Sequence, residues 1–218
     1  MTRSSTLCAI AVLTLTATSM SASANILLNP GFENGSAADA NDWNEVSGPA
    51  GSVTRSSEQP NSGSFSARME IDHISNPAAG AAYFIEQSQP AGSIDNSKNY
   101  NLTFQARSAT TNFDGIDMFY QILWIDQDAS DGGGVKGESL IPLIPAGLNT
   151  TYQPFSLLDI NVPDGADAFL LRFQASAGAV ANIANTLYVD DASLSVVPEP
   201  ASALLLATTL IALRRRAA

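Results

Sequence analysis

Nearly all side chains in this sequence that could take part in acid–base chemistry are carboxylates. The 218 residues include 21 Asp and Glu, but one histidine, His73, and one cysteine, Cys8. His73 lies in the polar segment Asp72-His73-Ile74-Ser75-Asn76, and no cysteine or serine-elbow motif is present to act with it. We therefore predict that His73 is a surface residue. Zinc signatures, phosphate-binding glycine loops and dinucleotide fingerprints are absent from the sequence.

A pair of carboxylates could still hydrolyse a glycosidic bond, with one acid as proton donor and the other as base or nucleophile. Glu86 and Asp117 are such a pair on spacing alone. In a chain with this many acidic residues, however, pairs of that kind arise readily by chance. The sequence therefore favours a protein that is not an enzyme.

One acidic segment, residues 126–132 (Asp-Gln-Asp-Ala-Ser-Asp-Gly), has oxygen-bearing side chains at alternate positions, as calcium loops do. Its glycine is the seventh residue, where the calcium loop needs it sixth. The closing acid, Glu138, is thirteenth, where the loop needs it twelfth. We predict a polar hairpin turn at this position.

The N-terminus has the pattern of a signal peptide. Arg3 precedes an apolar segment from Leu7 to Ala17, and Ala22-Ser23-Ala24 is an A-x-A cleavage pattern. We predict a signal peptide over residues 1–24 and a mature chain that begins at Asn25. Because Cys8 lies inside this peptide and not directly before the cut, we expect the mature chain to have neither a disulfide nor a lipid anchor.

The C-terminus, residues 197–218, has a second targeting pattern. A proline-rich break is followed by thirteen mostly apolar residues, 201–213, and then by a basic cluster. As a helix these residues would be about 20 Å long, against the roughly 30 Å of a bilayer core, so they suit a temporary membrane stop. A C-terminal core helix is the alternative. The motif residues are Pro198, Glu199, Pro200, Arg214, Arg215 and Arg216.

This tail resembles the PEP-CTERM sorting tail of exopolysaccharide-producing Gram-negative bacteria. The resemblance implies that an exosortase removes the tail near residues 198–200, after the secretion machinery has exported the chain. The three arginines would stay on the cytoplasmic side, so everything before Val197 would lie outside. The membrane would then be a partner only transiently, through the tail.

The mature stretch, residues 25–197, is strongly acidic. It has six basic residues against twenty acidic ones, a formal net charge of −14. Such a charge repels nucleic acid and anionic membrane surfaces, so we expect neither as a partner. It suits a secreted protein that stays soluble, and its length is that of one domain.

Hydrophobic residues in this stretch recur with the period of β-strands. Residues 100–106 and 169–175 alternate apolar and polar side chains, and further strands are predicted at 25–28, 64–70, 82–87, 117–125, 152–160 and 186–196. Turn sequences such as Asn29-Pro30-Gly31 and Pro163-Asp164-Gly165 separate them. Residues 35–41, 47–57 and 132–137 are predicted surface loops. These features predict an all-β antiparallel sandwich or barrel over residues 25–196, flanked by the signal helix and the C-terminal apolar helix.

Motifs at both ends of this stretch resemble a galactose-binding-like jelly roll. Residues 25–33 (NILLNPGFE) open it, Trp43 follows, and residues 188–194 (YVDDASL) close it. Between them, residues 62–68 (SGSFSAR), Glu86-Gln87 and residues 100–107 (YNLTFQAR) fall in the order typical of carbohydrate-binding modules of families 4/9 and 22. The resemblance implies a jelly roll, in a fold that serves structural roles as well as sugar binding.

The same resemblance implies a structural calcium ion. In the family, the Glu of the opening Gly-Phe-Glu and an Asp of the closing pair bind it, and Glu33 with Asp190 or Asp191 occupy those positions here. Carbonyl groups near residues 62–66 would complete the six to eight oxygen ligands. Period-two alternation sends Asp190 and Asp191 to opposite faces, and we favour Asp190. A solvated acidic pair is the alternative.

A sugar would bind on the polar face of the sandwich, where amide and guanidinium groups can bond to hydroxyl pairs. We expect Trp43 and Trp124 to be core residues, which leaves Phe119, or a loop aromatic such as Phe113, as the stacking ring. The predicted ligand residues are Gln105, Arg107, Phe119, Gln121, Arg172 and Gln174.

Taken together, these patterns predict an exported, extracellular or cell-surface protein whose non-catalytic module associates with extracellular polysaccharide. The alternative is a structural protein of the cell surface or biofilm matrix that binds no specific glycan.

Overall fold

The computed structural model describes residues 23–75, 81–127, 133–178 and 182–198. Pro198, the first residue of the predicted sorting motif, is exposed. The predicted signal and C-terminal helices, together with Glu199, Pro200 and Arg214 to Arg216, lie outside these ranges. In the part of the chain that is described, no helix is long and apolar enough to cross a membrane.

The described chain is an antiparallel β-sandwich, as the alternating patterns predict. The strands are β1 (Gly35–Ser36), β2 (Asp39–Ala40), β3 (Asn44–Val46), β4 (Gly51–Ser56), β5 (Ser66–Asp72), β6 (Ala81–Gln89), β7 (Asn99–Ser108), β8 (Ile116–Ile125), β9 (Val135–Pro142), β10 (Gln153–Asn161), β11 (Ala168–Ala177) and β12 (Ala184–Val196). The first sheet has the strand order β10-β7-β12-β5-β4, the second sheet has the order β3-β6-β11-β8-β9, and β1 and β2 pair separately.

Aromatic side chains from both sheets meet in the core. Phe104 of β7 and Phe173 of β11 have ring centroids 4.9 Å apart, and Trp43 lies 6.1 Å from Phe173 and 5.0 Å from Phe32. Trp124 is buried beside Tyr100, with centroids 5.9 Å apart. Both tryptophans are therefore core residues, as predicted. Because side chains alternate along a strand, the neighbours of these buried residues point away from the core.

Four sequence predictions about local structure are wrong. Residues 25–28 form no strand: Asn25 makes one isolated bridge to Ser195, and the chain turns away at Asn29, whose φ is 45°. Conversely, the predicted loop at 35–41 contains the two-residue strands β1 and β2, and those at 47–57 and 132–137 contain β4 and the start of β9. Strands β4 and β9 are edge strands with few large apolar side chains. Neighbouring strands supply their hydrogen bonds, so hydrophobic alternation does not mark them.

The packing of Phe173 gives a stability prediction. The Phe173 side chain is fully buried between the sheets, so Phe173→Ala should lower the free energy of unfolding by about 3 to 5 kcal/mol. Urea unfolding followed by tryptophan fluorescence measures this. Leu158→Ala is the control, because Leu158 is 61% exposed and its loss should change stability by less than about 0.5 kcal/mol. Equal effects of the two substitutions would contradict the placement of Phe173.

Candidate functional site

The predicted acidic residues Glu33, Asp190 and Asp191 gather around one loop between β4 and β5. We call residues 57–65 the strap loop. Asp190 Oδ2 accepts the backbone N–H of Asn61 (2.8 Å) and of Ser62 (3.1 Å). Asp191 accepts the Asn61 side-chain amide (2.7 Å) and the Ser62 hydroxyl (2.5 Å).

Glu33 holds the other end of the strap loop. Its Oε1 atom accepts the backbone N–H groups of Ser64 (2.9 Å) and Phe65 (3.0 Å). Arg55 links Glu33 to the strap loop. Its guanidinium donates to the carbonyls of Phe32 (2.6 Å) and Glu33 (2.7 Å), and it also lies over the Phe65 ring. The strap loop is thus fixed by three carboxylates and one buried arginine.

The side chains of Glu33, Asp190 and Asp191 all lie near Gly31. A side-chain carbon added at Gly31 would lie 3.7 Å from Asp190 Oδ1, 3.9 Å from Glu33 Cγ and 4.0 Å from Asp191 Oδ1. Asp190 is fully buried, and this burial raises the pKa of its carboxyl group to about 6, although N–H bonds from Ser62, Asn61 and Asp191 partly offset the rise. The negative charge of Asp190 therefore needs partners of the opposite polarity.

These residues fit a calcium ion in part. All of the donor atoms are oxygens, which calcium prefers. Within the described residues, however, no group of three or more His, Cys, Asp or Glu side chains is arranged to hold a metal ion. Each carboxylate also accepts N–H or O–H groups of the strap loop, so part of its charge is offset without a cation. The calcium site stays a prediction.

The predicted ligand residues lie on two different sheets, so the single platform expected from strand parity is wrong. Gln105 and Arg107 lie on β7 of the first sheet, whereas Phe119, Gln121, Arg172 and Gln174 lie on β8 and β11 of the second. Because their chain neighbours point into the common core, the two groups face away from each other on opposite sides of the sandwich. Sequence parity identifies outward positions, but it does not show which sheet a strand joins.

The four residues of the second sheet form a continuous surface, which we call the outer platform. The register places Arg172 beside Gln121, and Gln174 beside Phe119. Arg172 donates twice to Glu86 Oε2, at 2.8 and 2.6 Å, and its guanidinium lies 4.1 Å from the centroid of the Phe84 ring. The Gln121 amide donates to Glu138 (2.7 Å). Polar groups with fixed directions thus lie next to two phenylalanines, Phe84 and Phe119, which the register places on either side of Gln174.

Sequence reasoning missed several members of the outer platform. Phe84 and Glu86 lie on β6 opposite Gln174 and Arg172, and Asn44 of β3 donates to Glu86 (3.1 Å). The period-two pattern of the predicted strand 82–87 contained the signal for Phe84. Asn44 had none, because β3 is only three residues long.

The register does not favour the glycosidase pair Glu86 and Asp117. On the shared neighbour β11, Glu86 lies opposite Arg172 and Asp117 lies opposite Ser176. These positions are four residues apart, about 13 Å along a strand, whereas glycosidase carboxylates lie about 5 to 9.5 Å apart. Arg172 also binds Glu86.

Two smaller predictions have different outcomes. His73, which we predicted at the surface, is 1% exposed, and neither ring nitrogen has a hydrogen-bond partner in the described part of the chain. It follows β5 directly and has the same inward parity as the buried Met69 and Ile71. Its backbone N–H donates to the Ile183 carbonyl (2.9 Å). The acidic segment after Asp126 connects β8 to β9 as the predicted hairpin, with Asp126 bound to Lys136 (2.7 Å). Its residues 128–132 lie outside the described ranges.

The strap loop gives a prediction at Gly63. A methyl group there would overlap the Glu33 carboxylate, with 2.7 Å to Cδ, and Gly63 also has a φ of 59°. Gly92 is a matched control, because its φ is 83° and no atom lies within 4 Å of the added carbon. Gly63→Ala should therefore cost about 1 to 3 kcal/mol more than Gly92→Ala in urea unfolding.

The single variant Glu33→Ala and the double variant Glu33→Ala with Gly63→Ala complete a cycle for this prediction. Gly63→Ala should cost less in the Glu33→Ala background than in the wild type, because the overlapping carboxylate is gone. Equal losses for the two glycine variants would show that Glu33 does not press on the strap loop.

Comparison with known proteins shows the fold. No protein-family model matches the sequence, and no curated protein matches it. The chain is 12% identical to the solved CBM22-1 xylan-binding domain of Paenibacillus barcinonensis Xyn10C, covering 82% of this chain and 97% of that one, with a TM-score of 0.52. It is 15% identical to the Stig cyclase Fisc of Fischerella sp. TAU, covering 81% and 99% respectively, with a TM-score of 0.53.

A third solved structure comes from a study of carbohydrate-binding modules of the β-sandwich superfamily with promiscuous specificity. It is 10% identical to this chain and covers 72% of it and 58% of that chain, with a TM-score of 0.51. One of these neighbours is called a cyclase, so the fold by itself does not assign an activity. The described chain folds as a β-sandwich of the carbohydrate-binding-module type.

Proposed function

We propose that this protein is a non-catalytic glycan-binding module and that the outer platform of the second sheet is its binding surface. The observation that carries the proposal is the Arg172–Glu86 pair with Gln121 beside it, next to Gln174, which the register places between Phe84 and Phe119. Sugars present hydroxyl pairs and apolar ring faces, which forked polar groups and aromatic rings recognise.

The geometry of Arg172 supports this role. Its side chain is 25% exposed and that of Glu86 is 16% exposed, so both ends of the pair reach the surface without being freely mobile. Two hydrogen bonds to one carboxylate oxygen and the Phe84 ring hold the guanidinium. A preorganised polar group loses little side-chain entropy when a ligand binds.

Export and association with extracellular polysaccharide complete the proposal. The A-x-A pattern, the PEP-CTERM-like tail and the net charge of −14 over residues 25–197 support a secreted, soluble module. The exosortase would remove the tail near Pro198, directly after the last residues that pair with the sandwich, since the Val197 N–H donates to Asn99 (2.8 Å).

Calorimetric titration of the purified protein with the exopolysaccharide of the organism that produces it tests the proposal. Arg172→Ala should weaken binding about tenfold or more, because it removes hydrogen bonds from a charged donor. Gln121→Ala should also weaken it. Gln105→Ala is the matched control, because Gln105 is an outward glutamine of the opposite sheet, and it should leave affinity unchanged.

Two results would reject this function. Absence of saturable binding to any polysaccharide would support a structural surface or matrix protein. Turnover of a glycan that stops when one carboxylate is replaced would show an enzyme.

The predicted calcium ion has a separate test. If calcium binds at Glu33, Asp190 and Asp191, a chelator should lower the melting temperature by several degrees, and added calcium should restore it. Asp191→Asn should reduce this difference, whereas Asp164→Asn, in an exposed turn, should preserve it. A wild-type melting temperature that the chelator does not change would exclude a structural calcium ion.

A further inference from the structure

The outward face of the first sheet has a row of cationic and phenolic side chains that the proposed function does not use. The register places Arg68 of β5 beside Tyr188 of β12, and Tyr188 beside Arg107 of β7. We call these three residues the Arg–Tyr row. It contains two of the six basic residues between positions 25 and 197.

Side chains of the strap loop occupy the donors of this row. Glu58 Oε2 accepts the Tyr188 hydroxyl (3.1 Å) and lies 3.2 Å from Arg68 Nε. Gln59 Oε1 accepts Arg107 Nη1 (2.6 Å), and the Gln59 carbonyl accepts the Tyr152 hydroxyl. A carboxylate and an amide of the protein itself therefore lie where a polar ligand would contact the row.

The strap loop does not satisfy the row completely. The Nε atoms of Arg68 and Arg107 are both buried and lack a hydrogen-bond partner among the described residues; for Arg68, the approach of Glu58 is close enough for an ion pair but is not aligned as a hydrogen bond. Unsatisfied buried donors are uncommon because they are costly. Each of these two arginines can therefore donate one more hydrogen bond, one on each side of Tyr188.

Glu58 is suited to be displaced. Its side chain is 61% exposed, whereas Arg68 is 18% exposed and Tyr188 is buried. Exposed ion pairs contribute little to stability, and Arg68 keeps a second partner, since its Nη2 atom lies 3.0 Å from Glu70 on the same strand. An incoming carboxylate can therefore replace Glu58 without leaving Arg68 unpaired.

We propose that the Arg–Tyr row is a second binding site, for the carboxylate groups of an acidic polysaccharide, and that Glu58 occupies it when no ligand is bound. A ligand carboxylate takes the position of the Glu58 carboxylate between Arg68 Nε and the Tyr188 hydroxyl. Arg107 lies two strands from Arg68, about 9.6 Å away by strand spacing. An extended polymer that crosses the strands can therefore place a second carboxylate or hydroxyl group at Arg107.

Polygalacturonate, a polymer of uronic acid, is the probe for this site, and its fully methyl-esterified form is the uncharged control. The titrations use physiological salt, where a Debye length of about 8 Å limits the repulsion between this polyanion and a domain of net charge −14. Glu58→Gln removes the competing charge and should strengthen binding of polygalacturonate to the full protein about tenfold. It should not change binding of the esterified polymer. Asp164→Asn removes one charge from an exposed turn and should have no effect, which controls for net charge.

Two further variants locate the site. In the Glu58→Gln background, Tyr188→Phe should reverse the gain while it preserves the ring and the fold, and Arg68→Ala should abolish binding. Arg172→Ala in that background should leave polygalacturonate binding intact, because the outer platform lies on the opposite sheet. The test therefore distinguishes this site from the proposed glycan surface.

Three results would overturn the second site. One is no gain in affinity for Glu58→Gln. Another is loss of polygalacturonate binding with Arg172→Ala, which would place the polymer on the outer platform and leave the proposed function standing. The third is equally tight binding of poly-glutamate, which would assign the row to an acidic peptide.

Discussion

The contact between Phe104 and Phe173 joins the two sheets, and the positions of both polar surfaces follow from it. Each ring belongs to an interior strand of its sheet, and their centroids lie 4.9 Å apart in the core. Because side chains alternate along a strand, an inward Phe104 turns Gln105 outward on the first sheet. An inward Phe173 likewise turns Arg172 and Gln174 outward on the second sheet. The burial of two aromatic rings thus orients groups that never touch each other.

The two outward faces differ in what holds their polar side chains. The strap loop lies on the first sheet, where its backbone N–H groups bind Asp190 and Glu33. On the second sheet, Arg172 is held by Glu86 and Phe84 of the neighbouring strand β6 instead. A loop therefore organises one face, and the strands themselves organise the other.

The region that anchors the strap loop holds two of the six non-glycine residues with a positive φ among those described. They are Phe32 and Asp191, with φ values of 58° and 50°, in the left-handed region that residues other than glycine rarely adopt. Such residues cost of order 1 to 3 kcal/mol each and persist where surrounding contacts impose them. Here the burial of Phe32, the three carbonyl bonds of Arg55 and the bonds from Asp190 and Asp191 supply those contacts.

Hydrophobic alternation was strong enough for the long central strands to be predicted, and with them the sandwich, the buried tryptophans and the outward parity of each predicted ligand residue. Edge strands such as β4 and β9 escaped prediction because they depend on hydrogen bonds from a neighbour more than on their own apolar residues. The motifs at both ends of the stretch identified Glu33, Asp190 and Asp191, and the same resemblance placed residues 62–66 beside them as carbonyl ligands. In the structure it is backbone N–H groups of this loop that contact the carboxylates of Glu33 and Asp190.

Only the tertiary structure decided which outward residues share a surface. The separation of Arg107 from Arg172, the pairing of Arg172 with Glu86 and the cover of Glu58 over Tyr188 all depend on strand order and on the path of one loop. Local sequence determines the direction of a side chain relative to its own strand, because the period of two is a property of the backbone. Strand order arises from contacts between residues far apart in the chain, and a local pattern contains no record of them.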